Sequence, residues 1–93
     1  MIVGVLKIKI YIPWAHSLKE KRIELKSICA KVKNNFNVSI AEVEDQDLHQ
    51  IATIGIAIIS NNTKHIDRRM DKIINYIESN TEGELIEIVR EFL

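Results

Sequence analysis

"LKIKIYIPWAHSLKEKRIELKSICAKV", residues 6–32, changes its hydrophobic period at its single proline. Before Pro13 every second residue is apolar, beginning with Leu6 and Ile8, and Lys or Tyr lies between them. This alternation is typical of a β-strand with one buried and one exposed face. We therefore predict a first strand over residues 2–12, which Pro13 ends because proline cannot donate a hydrogen bond to a sheet.

After the proline the period lengthens to that of a helix. Ser17 and Glu20 form an S-x-x-E capping box, which predicts that a helix begins there. Its apolar positions recur every three or four residues and are Leu18, Leu25, Ile28, Cys29 and Val32. The Asn-rich segment 34–37 favours a turn, so the helix is predicted to end there.

The rest of the chain predicts three more strands and a second helix. Strands are predicted over residues 38–43 and 49–60, joined by the polar connection 44–47, and over residues 85–93. N-cap residues at 61–63 precede a helix. Its apolar seam consists of Ile66, Met70, Ile73, Ile74 and Ile77.

The predicted order is βαββαβ. Two interleaved right-handed crossovers then give a four-stranded antiparallel sheet in the order 4-1-3-2, with both helices on one face. The expected fold class is α+β, a ferredoxin-like sandwich that forms one domain over residues 1–93. On its open face we expect Lys7 and Lys9 to lie beside Glu87 and Glu91.

Composition places the chain among globular proteins, with 46% hydrophobic and 28% charged residues. Cys29 is the only cysteine, which excludes an internal disulfide and favours a reducing compartment. The longest apolar run, residues 54–59, is far shorter than the ~20 residues that span a bilayer, and no basic segment of a secretory signal precedes the first strand. We therefore expect a cytoplasmic protein without a membrane partner.

The net charge is zero, but it is unevenly distributed. Residues 1–40 contain eight Lys or Arg and two Glu, whereas residues 41–93 contain five basic and eleven acidic side chains. An anionic partner would therefore require a local basic face.

The first helix is predicted to carry such a face. At about 100° per residue, one strip beside the apolar stripe holds Lys19, Arg22, Lys26 and Lys33. Lys21 is placed on the opposite flank, near the helix start, where it would assist, and Lys31 falls among Glu20 and Glu24. Four cations with few acids between them suit a phosphate backbone, because each neutralised phosphate releases counterions.

Two other interpretations remain open. In the first, the strip is only the solvated flank of a core helix, and Glu42 and Glu44 pair with Lys19 and Arg22. In the second, the protein is a protein–protein interaction module or a homo-oligomer. This second interpretation uses a partly apolar open sheet face and two opposed charge strips. An acidic strip on the second helix, turned toward the edge of the fourth strand, would meet the basic strip of another molecule. The acidic strip consists of Asp67, Asp71 and Glu78.

No catalytic or cofactor motif is recognisable. The acidic residues at 42–49 lack the spacing of a calcium loop, so a solvated hairpin is favoured over a metal site. Cys29 lies on the apolar stripe and is predicted to be a buried core thiol. Trp14 either covers the end of the core or stacks on a base. We expect no enzyme activity, no cofactor and no bound metal.

Two segments resemble a known family: "SLKEKR" at residues 17–22 and "FNVSIAEVEDQDLHQIATIGIAIISN" at residues 36–61. Over essentially its whole length the chain resembles the YlxP-like family of small bacterial proteins, a domain of unknown function. The resemblance implies a ferredoxin-like fold. In many bacteria the family's gene lies beside those for a translation initiation factor and a ribosome-binding factor, which implies work on RNA or the ribosome by association.

The leading hypothesis is therefore a small, cytoplasmic, non-enzymatic protein that docks its first helix on structured RNA or a ribosomal particle. In this hypothesis Lys19, Arg22, Lys26 and Lys33 contact phosphates, and Lys21 assists them.

Overall fold

The computed structural model describes all 93 residues. The elements in chain order are β1 (Ile2–Tyr11), α1 (Leu18–Asn35), β2 (Ser39–Glu44), β3 (Ile51–Ser60), α2 (Thr63–Asn80) and β4 (Glu84–Phe92). The strands form one antiparallel sheet in the order β2-β3-β1-β4. The predicted ferredoxin-like βαββαβ fold is confirmed.

The observed strand ends differ from the predicted ones by one or two residues. β1 ends at Tyr11, although the N–H of Ile12 still donates at 2.7 Å to the backbone oxygen of Gln50, which precedes β3. β3 begins at Ile51, two residues later than predicted. β2 lies one residue later than predicted, and β4 one residue earlier.

The capping box forms at the start of α1. Oγ of Ser17 accepts a hydrogen bond from the N–H of Glu20 at 3.2 Å. The Glu20 carboxylate in turn accepts from the N–H of His16 at 3.0 Å, one residue before the cap. The first bond satisfies a backbone donor that the helix itself leaves without a partner, and the second ties the residue before the cap to the first turn. The sequence signal for the helix start is confirmed.

The hydrophobic core lies between the sheet and the two helices. β1 contributes alternate residues, of which Leu6, Ile8 and Ile10 are completely buried. The buried apolar residues of the helices are Leu25, Ile28 and Val32 of α1, with Ile66, Met70, Ile73, Ile74 and Ile77 of α2. Burial of each such side chain stabilises the fold by about 1.5–3 kcal/mol, which holds both helices on one face of the sheet.

A glycine allows α2 to pack closely on β1. A Cβ atom at Gly4 would overlap Cγ2 of Ile66 and would lie 2.9 Å from Cε of Met70. Both residues belong to the buried seam of α2. The absence of a side chain at Gly4 therefore sets the distance between α2 and the sheet.

β2 contains a β-bulge. Glu42 pairs with Ile54 and Glu44 pairs with Thr53, so Val43 is the extra residue. Because one extra residue shifts the alternation of side chains, Glu42 stays on the side of the helices and Glu44 is turned onto the open face.

The open face of the sheet carries cross-strand ion pairs. Nζ of Lys9 lies 3.6 Å from Oε2 of Glu87, as predicted for neighbouring strands. Lys7 does not meet Glu91; it donates at 2.9 Å to Glu44, which the bulge has brought to this face. The hydrogen bond to Glu44 raises the pKa of Lys7.

Candidate anion-binding surface of the helical layer

Charge in this molecule is separated by layer. α1 and α2 together contain ten Lys or Arg and five Asp or Glu, a net charge of +5. The strands and connections contain three Lys or Arg and eight Asp or Glu, a net charge of −5. The division along the sequence is therefore, in three dimensions, a division between a basic helical layer and an acidic sheet layer.

The α1 strip, defined as Lys19, Arg22, Lys26 and Lys33, lies on the surface of the helical layer. All four residues are exposed. The six ion pairs of the molecule use other cations, namely Lys7, Lys9, Lys21 and Arg90. The strip therefore has no carboxylate partner within the molecule.

The glutamates that were candidates to neutralise the α1 strip are held by other lysines. Glu42 pairs with Lys21, and Glu44 pairs with Lys7. The alternative in which these glutamates pair with two residues of the strip is therefore wrong. The glutamates cannot both reach the strip because the bulge in β2 places them on opposite faces of the sheet.

Lys21 does not belong to the binding surface, contrary to the prediction. Only 1% of this residue is exposed, so it cannot assist at a phosphate outside the protein. It lies four residues before Leu25 and seven before Ile28, which places it on the stripe that faces the sheet rather than on the flank. That spacing is the sequence signal by which its burial can be recognised.

The buried ammonium of Lys21 joins α1 to the connection between β2 and β3. Nζ donates to the backbone oxygens of Asp45, Gln46 and Ile51, at 2.9, 3.3 and 3.2 Å. An ammonium has three protons, so these carbonyls can accept all of them. Oε2 of Glu42 lies 2.8 Å from Nζ without the angles of a hydrogen bond, and it supplies the compensating charge.

Asp45 begins this connection with a left-handed backbone, at φ 60°. Its Oδ2 accepts a hydrogen bond from Oγ1 of Thr53 at 2.6 Å and lies 3.6 Å from Nζ of Lys9. The Thr53 hydroxyl, followed by the charge of Lys9, lowers the pKa of Asp45. The acidic connection is thus tied to residues of the protein itself, and no group of three or more His, Cys, Asp or Glu side chains could hold a metal ion.

The acidic strip of α2 is also occupied in part. Oδ1 of Asp67 lies 3.4 Å from Nη1 of Arg90, and Asp71 bonds to Nη2 of the same guanidinium. This contact with β4 confirms that the strip faces the edge of the fourth strand. The hydrogen bond that Arg90 donates to Asp71 is the main cause that raises the pKa of Arg90. Only Glu78 of the strip remains without an ion pair, so the strip offers little charge to a second molecule.

A second group of cations, on α2, was not predicted. Its members are Lys64, Arg68, Arg69 and Lys72, and none has an ion-pair partner. Three of them line a groove of about 430 Å³ between the C-terminal end of α1 and the first turns of α2. It was missed because residues 41–93 have a net negative charge. The sequence nevertheless contains a signal for it, since four of the five cations in that half lie within one helix.

Trp14 lies in a polar groove at the other end of the helix pair. Its side chain is partly exposed and lines a groove of about 470 Å³ together with Glu24, Lys31 and Thr81. Oγ1 of Thr81 donates to Glu24 at 2.9 Å. Because a carboxylate and a cation both line this groove, it suits a phosphate less well than the α1 strip does.

Cys29 packs against the core but is only half-buried. Burial raises the pKa of its thiol, with a smaller opposing effect from Lys33. A raised pKa disfavours the thiolate, which is the nucleophilic form, so the side chain is suited to packing.

The open sheet face is partly apolar, as predicted. A shallow groove of about 270 Å³ runs between β2 and β3, and its lining includes Val5, Val43, Gly55 and Ala57. Ile59 of β3 is 63% exposed on the same side of the sheet. This surface is the structural feature on which a protein partner could pack.

These features define a class: a ferredoxin-like α+β protein with a basic helical layer and an acidic sheet layer. Neither helix is long and apolar enough to cross a membrane. The chain belongs to the family described as "Protein of unknown function (DUF503)", which matches residues 3–90. It is 41% identical over 70 residues to the "Uncharacterized protein YlxP" of Bacillus subtilis (strain 168), across 75% of this chain and 76% of that protein. The resemblance to the YlxP-like family is confirmed.

Proposed function

We propose that this chain is a cytoplasmic, non-enzymatic RNA-binding protein, which docks α1 on structured RNA or a ribosomal particle. The observation that carries the proposal is the α1 strip, whose four cations are exposed and have no partner within the molecule. The candidate carboxylates at the neighbouring strand edge are already paired with Lys7 and Lys21.

The arrangement of the strip favours an extended anion. Lys19 and Arg22 are three residues apart and Arg22 and Lys26 are four apart, so neighbouring like charges face each other along α1. Such pairs cost an isolated helix about 0.2–0.5 kcal/mol each, and a row of phosphates relieves that repulsion. Binding to four phosphates releases counterions and predicts a salt slope of roughly −3 to −4 in a log–log plot.

The charge of the sheet layer also favours docking through the helices. Its net charge of −5 repels a polyanion, whereas the +5 of the helical layer attracts one. A molecule with separated charges of this kind approaches RNA with its helices first, although its net charge is zero.

The test compares two variants that change the net charge equally. The strip variant, Lys19→Gln/Lys26→Gln, removes two positive charges from α1. The sheet variant, Ser39→Glu/Gln46→Glu, adds two negative charges at exposed positions on and beside β2. Affinity for a fluorescein-labelled RNA hairpin and for purified ribosomal subunits is measured by anisotropy and by co-sedimentation over a range of KCl concentrations.

The proposal predicts that the wild-type affinity falls steeply with salt. The strip variant is expected to lower the salt slope by about two units, because two phosphate contacts are lost. The sheet variant is expected to change affinity only slightly. RNA binding that ignores both salt and the strip variant would overturn the proposal.

A second candidate function rests on the apolar part of the open sheet face. In this case the protein is an interaction module, and a second copy or another protein packs on the surface around Val5, Val43 and Ile59. Sedimentation velocity over a salt series separates the two candidates. A stable oligomer that does not bind RNA supports the second, whereas a monomer that binds RNA supports the first.

A further inference from the structure

The groove between the C-terminal end of α1 and the first turns of α2 concentrates positive charge. We call it the α2 groove; its lining consists of Asn35, Phe36, His65, Arg68, Arg69 and Lys72. Three of these six residues are permanent cations and none is a carboxylate. None of the three cations belongs to an ion pair of the molecule. The groove thus lacks an internal counter-charge.

The cations of the α2 groove are neighbours on the helix surface. Lys72 lies four residues after Arg68 and three after Arg69, the two spacings at which side chains meet along an α-helix. The nearest acids of α2, Asp67 and Asp71, pair with Arg90 and with none of the three cations. No ion pair within the protein therefore relieves the repulsion among the three cations, and a bound anion would relieve it.

The wall of the groove on the side of α1 is held in place by its own contacts. Nδ2 of Asn35 donates to the backbone oxygen of Lys31 and to the hydroxyl of Tyr76, both at 2.8 Å. The ring of Phe36 meets the ring of Tyr76 edge to face, with centroids 5.6 Å apart. A wall fixed in this way limits the conformational entropy that a ligand must remove on binding.

The α2 groove and the α1 strip lie on different flanks of α1. Asn35 follows Lys33 by two residues, which is about 200° around the helix. An RNA that contacts both surfaces must present phosphates on both sides of a helix, which is roughly 10–12 Å across with its side chains. Two antiparallel strands that border the wide minor groove of A-form RNA present phosphates in this way, and one flexible strand does not.

We propose that the α2 groove is a second phosphate-binding site, and that α1 lies across the minor groove of double-stranded RNA. One strand contacts the α1 strip and the other contacts Arg68, Arg69 and Lys72. The inference rests on the proposed function, because it assigns the class of RNA that the α1 strip binds. Two arginines suit this role, since each guanidinium can donate two parallel hydrogen bonds to one phosphate.

The test uses the full-length chain and two probes. One probe is an RNA hairpin with a stem of about 16 base pairs, and the other is a single-stranded RNA of the same length. The groove variant, Arg68→Gln/Lys72→Gln, is compared with the strip variant and the sheet variant defined above. Both altered residues are exposed, and Gln has nearly the same helix propensity as Arg and Lys, so the variant is expected to fold; its thermal midpoint verifies this.

The groove variant is expected to have a salt slope lower than that of wild type by about two units. If the two proteins bind the hairpin equally at about 1 M salt, the variant then binds it roughly 50-fold more weakly at about 0.1 M salt. Its affinity for the single strand is expected to stay within about twofold of wild type, because one strand contacts only the α1 strip.

The two proposals fail in different ways. If the groove variant binds the hairpin as wild type does while the strip variant does not, the α2 groove is not a phosphate site and the proposed function stands. If the groove variant loses affinity for both probes equally, the assignment to double-stranded RNA is wrong. If the strip variant also binds as wild type does, both proposals fall.

Discussion

Nζ of Lys21 lies 2.8 Å from Oε2 of Glu42, in a contact between α1 and β2 from which water is excluded at the lysine. The same ammonium donates to three backbone oxygens of the connection that follows β2. A lysine that contacts no ligand therefore fixes the helix that carries the α1 strip to the hairpin beside it. Charge on one face of α1 serves the fold, and charge on its flank remains available for binding.

Replacement of Lys21 is expected to cost far more than replacement of its partner. Lys21→Met leaves the Glu42 carboxylate without its compensating charge and three carbonyls without a donor, and we expect a loss of about 3 kcal/mol in the free energy of unfolding. Glu42→Gln leaves all three carbonyl bonds intact, and we expect a loss of about 1 kcal/mol. Urea unfolding of both variants measures the difference.

A matched control for Lys21 lies two residues earlier on the same helix. Lys19→Met makes the same chemical change at an exposed position and is expected to alter stability by less than about 0.5 kcal/mol. Equal losses for the variants at Lys21 and Glu42 would show that charge pairing, and not the three carbonyl bonds, dominates the contribution of this lysine.

Acid is expected to weaken the fold partly through Asp45. Its pKa is lower in the folded protein, because its carboxylate accepts from Thr53 and lies near Lys9, so the folded state binds fewer protons than the unfolded chain. The resulting stabilisation is fully present above the ordinary pKa of aspartate and is lost as the pH falls from about 5 through the lowered value.

Asp45→Asn isolates this contribution. Asparagine tolerates the left-handed backbone at this position and does not titrate. Urea unfolding at intervals between about pH 3 and about pH 7 should therefore give a shallower loss of stability for the variant than for wild type. If the free energies of unfolding of the variant and of wild type fall in parallel with pH, Asp45 is not a source of acid sensitivity.

A methyl group at Gly4 is expected to push α2 away from the sheet. Gly4→Ala introduces a Cβ that overlaps the Ile66 side chain, and overpacking of this kind costs about 1–3 kcal/mol. Ile66→Ala removes the overlapping methyl group at a cost of its own. In a double-mutant cycle the two changes together should cost less than the sum of the single changes. Additive losses would show that α2 does not approach Gly4 this closely.

The thiol of Cys29 is expected to react slowly. Because burial raises its pKa, the midpoint of the pH profile for alkylation by iodoacetamide should lie above that of a free cysteine. In urea the rate should rise to that of a model thiol. A midpoint below that of a free cysteine would indicate an activated thiol and would reopen a catalytic role for this residue.

The fold and all four positions of the α1 strip were predictable because their signals are local. The period of two before Pro13, the capping box at Ser17 and the period near 3.6 after it are each set by neighbouring residues. The same helical spacing places four cations on one flank of α1. The spacing of the α2 cations is an equally local signal, but it was overlooked because that half of the chain is acidic overall.

Which charges meet was decided by the tertiary structure alone. Helical winding placed Lys21 on a flank of the apolar stripe, whereas the three carbonyls that satisfy its buried ammonium lie 24, 25 and 30 residues away along the chain. The bulge at Val43 separates Glu42 from Glu44 and leaves the α1 strip without a partner.

The sequence by itself therefore determined the order of the strands and helices, the core stripes and the flank on which four cations lie, since these follow from short-range periodicity. The tertiary structure decided which lysine is buried, which carboxylates are paired and which cations remain open to a ligand. These outcomes depend on contacts between residues far apart in the chain, for which several partners of similar charge compete.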